Sequence, residues 1–419
     1  MRLLYLLSET WPTHRADVAI LFGKYLPRLN IHSDIVSLTD CDVDEAKPWG
    51  GGEAVLECLP KGRITRHLAK LRHNTKTLIG VDTVRCDAIQ VRDMPLTAII
   101  GLIVARRKGL PFFYWMSYAI PEGDIALAKS RGRRAGLMCL APLIRGFIGK
   151  WVLYSLVLPR CQHIFVQSNQ MRDDVAARGV PRERMTPAPM GVDLETAIPG
   201  RIDPADDPAL QNKRVIVYLG TLHQSRRIEM LFDMIVCVSH WIPNALLLIL
   251  GDIDDAGHRE WLRKECMLRG AESLVYWRGW VPMDIAWQYL RRAEIGLSPF
   301  PRSFELDSCS PTKLIEYLAL GLPVVANPQP EQERVIRESG AGLCVDWCPE
   351  AFCEAVVELL QDPARRAKMT LAGTEYVAEQ RSYSGLALAL AERYRSLELQ
   401  YGKSPKRIDG QGQADRGDS

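Results

Sequence analysis

Short, almost wholly apolar runs alternate with amphipathic stretches along nearly the whole chain. Arg2–Leu7, His32–Ser37, Ala88–Val91, Pro111–Trp115 and His163–Gln167 read as strands in the first half. Val215–Leu219, Ala245–Leu250, Leu274–Arg278, Ile295–Pro299, Pro323–Ala326 and Gly342–Val345 read as strands in the second. A continuous apolar run marks a strand buried on both faces, and helices between such strands make the sheet parallel and cover it. The pattern predicts an α/β protein built from two doubly wound parallel sheets. Thr186–Asp206, rich in Pro, Gly and Asp and without periodicity, separates the halves. The expected division is a first domain over 1–190, a linker over 191–210, a second domain over 211–380 and a last helix over 381–400. Residues 401–419 are polar and Gly-rich, lack an apolar face, and are expected to be disordered.

Composition narrows the class without naming a function. A chain of 419 residues suits two domains. Its 47% apolar and 25% charged content is that of a soluble globular protein, and a net charge of +3 is too small to point to nucleic acid. The 11 cysteines show no pairing rhythm. Cys344, Cys348 and Cys353 have neither a histidine nor a C-x-x-C spacing, so they read as buried thiols rather than zinc ligands. Unpaired thiols in this number favour a reducing cytoplasm. The opening MRLLYLLSETWP is too short in its apolar run for a signal peptide. No run of about 18 apolar residues occurs, so no segment is expected to span a bilayer.

The chemistry concentrates in the second half. Pro311–Pro323 (PTKLIEYLALGLP) begins a helix at a proline and ends it at Gly321. Its N-terminus carries free N–H groups and a positive dipole end, which suit a diphosphate. Ser308, Ser310 and Thr312 lead into that helix, Lys313 sits in its first turn, and Glu316 lies one turn on, in reach of a ribose diol. Val215–Glu229 is a strand, a turn at Gly220–Thr221 and a helix start carrying Arg226 and Arg227. A guanidinium there makes a diphosphate clamp. Leu246–Asp255 ends its strand in Gly251-Asp252, and Leu274–Val281 ends in a turn at Arg278–Gly279 suited to a nucleobase. All four turns fall on the carboxyl edge of one sheet, where doubly wound proteins bind ligands. Arg226, Lys313 and Glu316 are the candidates for chemistry. Gly220, Thr221, Gly251, Arg278, Gly279, Ser308, Ser310 and Thr312 are the candidates for donor binding.

These motifs, in this order, resemble the retaining glycosyltransferases of the GT-B fold, and within them glycosyltransferase family 4. The resemblance rests on Gly220 to Arg226, Leu250-Gly251-Asp252, Trp277-Arg278-Gly279, Ala293–Pro299 and Lys313–Ala326, with His163–Met171 and Met190–Asp193. It implies two Rossmann-like domains facing across a cleft, the second holding a nucleoside-diphosphate sugar and the first an acceptor, with the last helix crossing back. It implies transfer with retention, with no cofactor and no metal required, the leaving phosphate oxygen accepting the acceptor's proton. The chain departs from the pattern at four places. The first acid of the glutamate pair falls on Ser308, with Glu305 and Asp307 nearby. Thr221 replaces a basic residue. Trp11–Asp17 stands where a glycine pair is usual, and Ser117 stands for a histidine. On the acceptor side the expected residues are His14, Arg15, Arg92 and Ser117.

Between Ile125 and Met171 there is no acidic residue. Lys129, Arg131, Arg133, Arg134, Arg145, Lys150 and Arg160 lie there, with Leu137, Leu140, Ile144, Phe147, Ile148 and Trp151 at helical spacing. The basic amphipathic segment 129–160 reads as an interfacial helix on an anionic membrane surface. That fits a lipid-linked or glycan acceptor and a peripheral place on the inner face of the cell membrane. The aromatics share the apolar face instead of interleaving with the cations, which argues against nucleic acid. Two other readings stay open: a nucleotide-sugar 2-epimerase, and a sugar-nucleotide-binding subunit without activity. A dehydrogenase is disfavoured, because no G-x-G-x-x-G follows the first strand.

Overall fold

A computed structural model describes residues 1–130, 140–253 and 255–402. The first lobe holds a sheet of seven strands: β1 (Arg2–Trp11), β2 (His32–Thr39), β3 (Ala54–Cys58), β4 (Ala88–Arg92), β5 (Phe112–Met116), β6 (His163–Val166) and β7 (Met185–Pro187). Their order is β3-β2-β1-β4-β5-β6-β7. The second lobe holds six: β8 (Arg214–Leu219), β9 (Ala245–Leu250), β10 (Val275–Gly279), β11 (Ile295–Ser298), β12 (Val324–Ala326) and β13 (Gly342–Cys344), in the order β10-β9-β8-β11-β12-β13. Every pairing is parallel. In each sheet the first strand lies between two crossovers that run in opposite directions. That reversal opens a crevice at the carboxyl ends of β1 and β4, and another at those of β8 and β11.

The apolar runs became the central strands because helices cover both faces of each sheet, leaving residues such as Tyr5, Leu6, Val217 and Leu248 fully buried. Two strands lay outside the expected set. Ala54–Cys58 is a half-exposed edge strand, so it needs no apolar run. Met185–Pro187 is three residues long and ends in proline, an edge-strand residue that sequence pattern assigns to a linker.

The helix Tyr383–Tyr401 returns to the first lobe. Tyr383, Ala387, Leu390, Tyr394 and Leu397 join Tyr5, Phe22, Phe113 and Phe165 in one core, and the Tyr394 hydroxyl donates to Gln90 at 2.6 Å. The two passages between lobes lie side by side. Val192 pairs with Ser382 as a parallel bridge, with Val192 N–H to the Arg381 carbonyl at 2.9 Å and Tyr383 N–H to the Val192 carbonyl at 3.0 Å. The buried Arg381 guanidinium is held by Glu331 of the second lobe. On the other flank Asp193 accepts from Lys24 and Tyr25 of the first lobe, each at 2.6 Å.

Two expectations change. Cys237 and Cys353 form a disulfide, so the thiols are not all unpaired and the compartment argument loses that support. The two cysteines are 116 residues apart but sit on neighbouring helices, Met230–Trp241 and Pro349–Gln361. Second, Leu140–Arg160 is a helical run of 21 residues that is long and apolar enough to cross a membrane by length and composition. Arg145 and Lys150 interrupt its apolar sequence but not its helix. Its rear half is committed to the first lobe: Val152, Leu153, Val157 and Leu158 are in the core. Arg131, Arg133, Arg134, Leu137 and the tail from 403 lie outside the described residues.

Candidate active site

The carboxyl ends of β8, β9 and β10 form a floor without side chains. Gly220 N–H donates to the Leu250 carbonyl and Gly251 N–H to the Gly279 carbonyl, both at 2.9 Å. Gly220 and Gly251 have φ of 145° and 141°, where a side chain is strained. A Cβ on Gly251 would collide with the Gly220 carbonyl, and one on Gly220 would lie 3.1 Å from Lys313 Nζ. Lys313 therefore hangs directly over this floor.

The helix Thr312–Ala319 points its N-terminus at the same place. Its N-cap, Pro311, offers no side-chain hydrogen bond, so the first N–H groups stay available to an anion. Thr312 is half-buried at that end. Burial, and then the charge of Arg226, draw the Lys313 ammonium well below its usual pKa, with Glu316 opposing. Burial pushes the Glu316 carboxyl up to about 7 against the pull of Lys313. Glu316 is 8% exposed; its backbone carbonyl accepts from Leu320 N–H at 3.1 Å, while its carboxylate has no hydrogen bond among the described residues. Arg226 likewise has a buried Nη1 without a partner. A buried charged atom left unsatisfied costs stability, and here Arg226 with its orphaned Nη1 acts on Lys313, which overhangs the glycine floor.

The remaining donor-side residues divide. Thr221 is exposed, and its carbonyl takes the Tyr218 hydroxyl at 3.1 Å. The Arg278 side chain leads away to Tyr289 at 2.7 Å, which bonds Asp207 at 2.8 Å, while the adjoining Gly279 contributes to the floor. Ser308 and Ser310 are buried contacts between lobes. Ser308 Oγ donates to Asp174 at 2.6 Å, and Ser168 Oγ donates to the Ser308 carbonyl at 2.6 Å. Met190 N–H donates to Ser310 Oγ at 3.1 Å. Both hydroxyls are thus committed to holding the lobes together. Asp307 is paired with Arg302 at 2.8 Å. Burial pushes the Cys309 thiol up, Arg226 and Arg15 pull it down, and Glu305 and Asp93 add to the rise. Groups from both lobes therefore surround Cys309.

On the first lobe, His14 and Arg15 are exposed, and Arg15 Nε lies 3.6 Å from Glu9. Arg92 is fully buried, donating to Asp17 at 2.6 Å and Glu9 at 3.0 Å. Its charge is spent inside the lobe and does not face an acceptor. Ser117 is buried, its hydroxyl and its N–H both donating to Asp93. Asp93 itself is buried at φ 52°, and burial raises its carboxyl to about 6. Sequence reasoning passed over Tyr218, Phe300 and Asp174. The one available signal was an aromatic residue directly after the Ile295–Pro299 strand. Among the described residues no group of His, Cys, Asp or Glu side chains is arranged to hold a metal ion.

The front of the Leu140–Trp151 helix turns its apolar residues outward. Leu140, Ile144, Phe147, Ile148 and Trp151 are all exposed. Arg145 bonds Asp124 at 2.7 Å, and Lys150 lies 4.0 Å from Glu122.

Two parallel-sheet lobes, each with its crevice, make up the GT-B fold. Residues 9–191 match the family described as glycosyl transferase 4-like domain, and residues 213–362 match glycosyl transferases group 1. The chain belongs to the group 1 glycosyltransferases of family 4. It is 25% identical, over 66% of its length and 75% of the relative's, to a GDP-mannose-dependent alpha-(1-6)-phosphatidylinositol monomannoside mannosyltransferase of Mycolicibacterium smegmatis. Among solved structures it resembles sucrose-phosphate synthase from Thermosynechococcus elongatus, with a TM-score of 0.73 at 15% identity, covering 96% of this chain and 100% of that one. It also resembles Anabaena HepE in complex with UDP and glucose, with a TM-score of 0.66 at 13% identity, covering 94% and 100%.

Proposed function

We propose that this glycosyltransferase takes a hexose from a nucleoside-diphosphate sugar and passes it, with retention, to a lipid-linked or polysaccharide acceptor at the cytoplasmic face of the membrane. One observation carries the donor half: Lys313 hangs over the glycine floor, shares the Phe300 ring with Arg226 and feels the charge of Glu316, beside an uncapped helix N-terminus. The two cations and the helix amides match a diphosphate whose charge grows as the glycosidic bond breaks. Glu316 matches a pair of ribose hydroxyls. In this reading the β-phosphate oxygen takes the acceptor's proton as the sugar leaves and the acceptor enters on the same face. Stabilisation of the leaving group is assigned to Arg226 and Lys313 without a metal. The UDP in the Anabaena relative and the GDP-mannose of the mycobacterial one support a nucleotide sugar as donor.

The exposed apolar face at Leu140–Trp151 supports the membrane half. Apolar side chains set among Lys129, Arg145 and Lys150 suit an interface with anionic lipid. Incubation with UDP- and GDP-sugars, with and without anionic vesicles and a chelator, tests the proposal. Slow release of free sugar of unchanged anomeric configuration, insensitive to the chelator, is expected. Release of the inverted anomer, or nucleotide binding with no turnover under any condition, refutes it.

A further inference from the structure

We propose that Phe300 is a positioning residue for the donor diphosphate, its ring holding Arg226 and Lys313 side by side before any ligand arrives. The Arg226 guanidinium lies 4.7 Å from the centre of the Phe300 ring, and Lys313 Nζ lies 5.4 Å from it. The same ammonium lies 4.0 Å from the Tyr218 ring. Two like charges in a poorly solvated crevice repel each other. The negative ring faces of Phe300 and Tyr218 offset that repulsion by cation–π attraction.

The ring is itself fixed. Phe300 is buried in the turn after β11, and the fully buried Asn327 side chain bonds both of its backbone groups. Phe300 N–H donates to Asn327 Oδ1, and Asn327 Nδ2 donates to the Phe300 carbonyl, each at 2.7 Å. Gln332 Nε2 donates to the Asn327 carbonyl at 3.2 Å. Such a pair of bonds determines where the backbone, and hence the ring, sits. Phe300 acts through the two cations: it sets a spacing that a diphosphate bridges, so the ligand meets both charges without first gathering them.

The inference rests on the donor reading above, and the test separates the two. Phe300→Leu removes the ring, and Phe300→Met removes it at nearly constant volume, so the effect is read in whichever variant melts within a few degrees of the wild type. Affinity for UDP and for GDP is measured by titration calorimetry between pH 6 and pH 9. Loss of one or two cation–π contacts predicts binding weaker by about tenfold in the ring-less variants. Phe300→Tyr, which keeps the ring, stays within about threefold of the wild type. The pH at which binding begins to fall also moves down without the ring, because Lys313 then surrenders its proton sooner; a purely structural lesion leaves that pH in place. If folded ring-less variants bind like the wild type with the same pH profile, or if Phe300→Tyr is as impaired as they are, the spacing role is overturned. If the wild type binds neither nucleotide, the donor reading falls and this role with it.

Discussion

Replacement of Glu316 by Gln gives the sharpest reading of the donor site. Its carboxyl stands at about 7 in the folded protein because burial disfavours its charge, while Lys313 pulls the other way. An unfolded glutamate titrates near 4.3. Between those values the folded state binds the proton that the unfolded state has lost, so stability falls as pH rises through this window. The difference corresponds to roughly 4 kcal/mol above pH 7, at about 1.4 kcal/mol for each pH unit. Gln keeps the shape and removes the charge, but it also withdraws the carboxylate that supports the Lys313 ammonium. A net gain of about 2 kcal/mol at pH 8 is therefore expected, worth roughly 4–8 °C in melting temperature. At pH 5 the glutamate is already mostly neutral in the folded state, so the gain shrinks towards zero. Thermal unfolding of both proteins at the two pH values checks this. The same variant loses the thermal shift that UDP or GDP gives the wild type, since the ribose contact is weakened. A Gln variant no more stable than wild type at pH 8, or one that keeps the full nucleotide shift, refutes the assignment of Glu316.

Three further outcomes follow from the geometry. Arg92→Ala leaves Asp17 buried without its partner and is expected to cost about 3–5 kcal/mol in chemical denaturation, a loss of stability rather than of acceptor affinity. Burial, reinforced by Arg393, lowers the His163 imidazole to about 3. The unfolded histidine gains a proton near 6.5, so this contribution is complete above that pH and drains away as pH falls. His163→Gln should accordingly show a shallower loss of stability than wild type between pH 6 and pH 4. Phe147→Ser combined with Trp151→Ser should lower partitioning onto anionic vesicles by about 100-fold or more, with only a small change in melting temperature, because both side chains are mostly exposed; unaltered vesicle binding counts against the membrane reading.

What could be read from sequence is what short-range physics decides. Central strands announce themselves because helices on both faces demand continuous apolar runs. The Thr312–Ala319 helix is legible because proline and glycine punctuate it. The glycines at 220, 251 and 279 mark the places where the floor forms. What could not be read depends on partners brought together from far along the chain. Arg92 follows a strand and reads as a residue lining the acceptor side, yet Asp17, 75 residues away, neutralises it inside the lobe. Ser308 occupies a motif position that suggests a ligand, but Asp174, 134 residues earlier, takes its hydroxyl. Helical spacing revealed the Leu140–Trp151 stripe without saying whether it pointed inward, and only the packed lobe decides that it points outward.

The paired passage at Val192 and Ser382 constrains how the enzyme moves. A single tether lets two bodies twist and wander, whereas two ribbons crossing at one spot and bonded to each other act as a door with its pins on one edge. Such a connection predicts a swing of the lobes about that edge rather than a slide, so that each opening returns the same atoms to the same opposition. Arg381, buried against Glu331, serves as the pin's bearing. Its replacement by Ala should broaden the distribution of sizes seen in small-angle scattering, and an unchanged profile would mean that the hinge is held elsewhere.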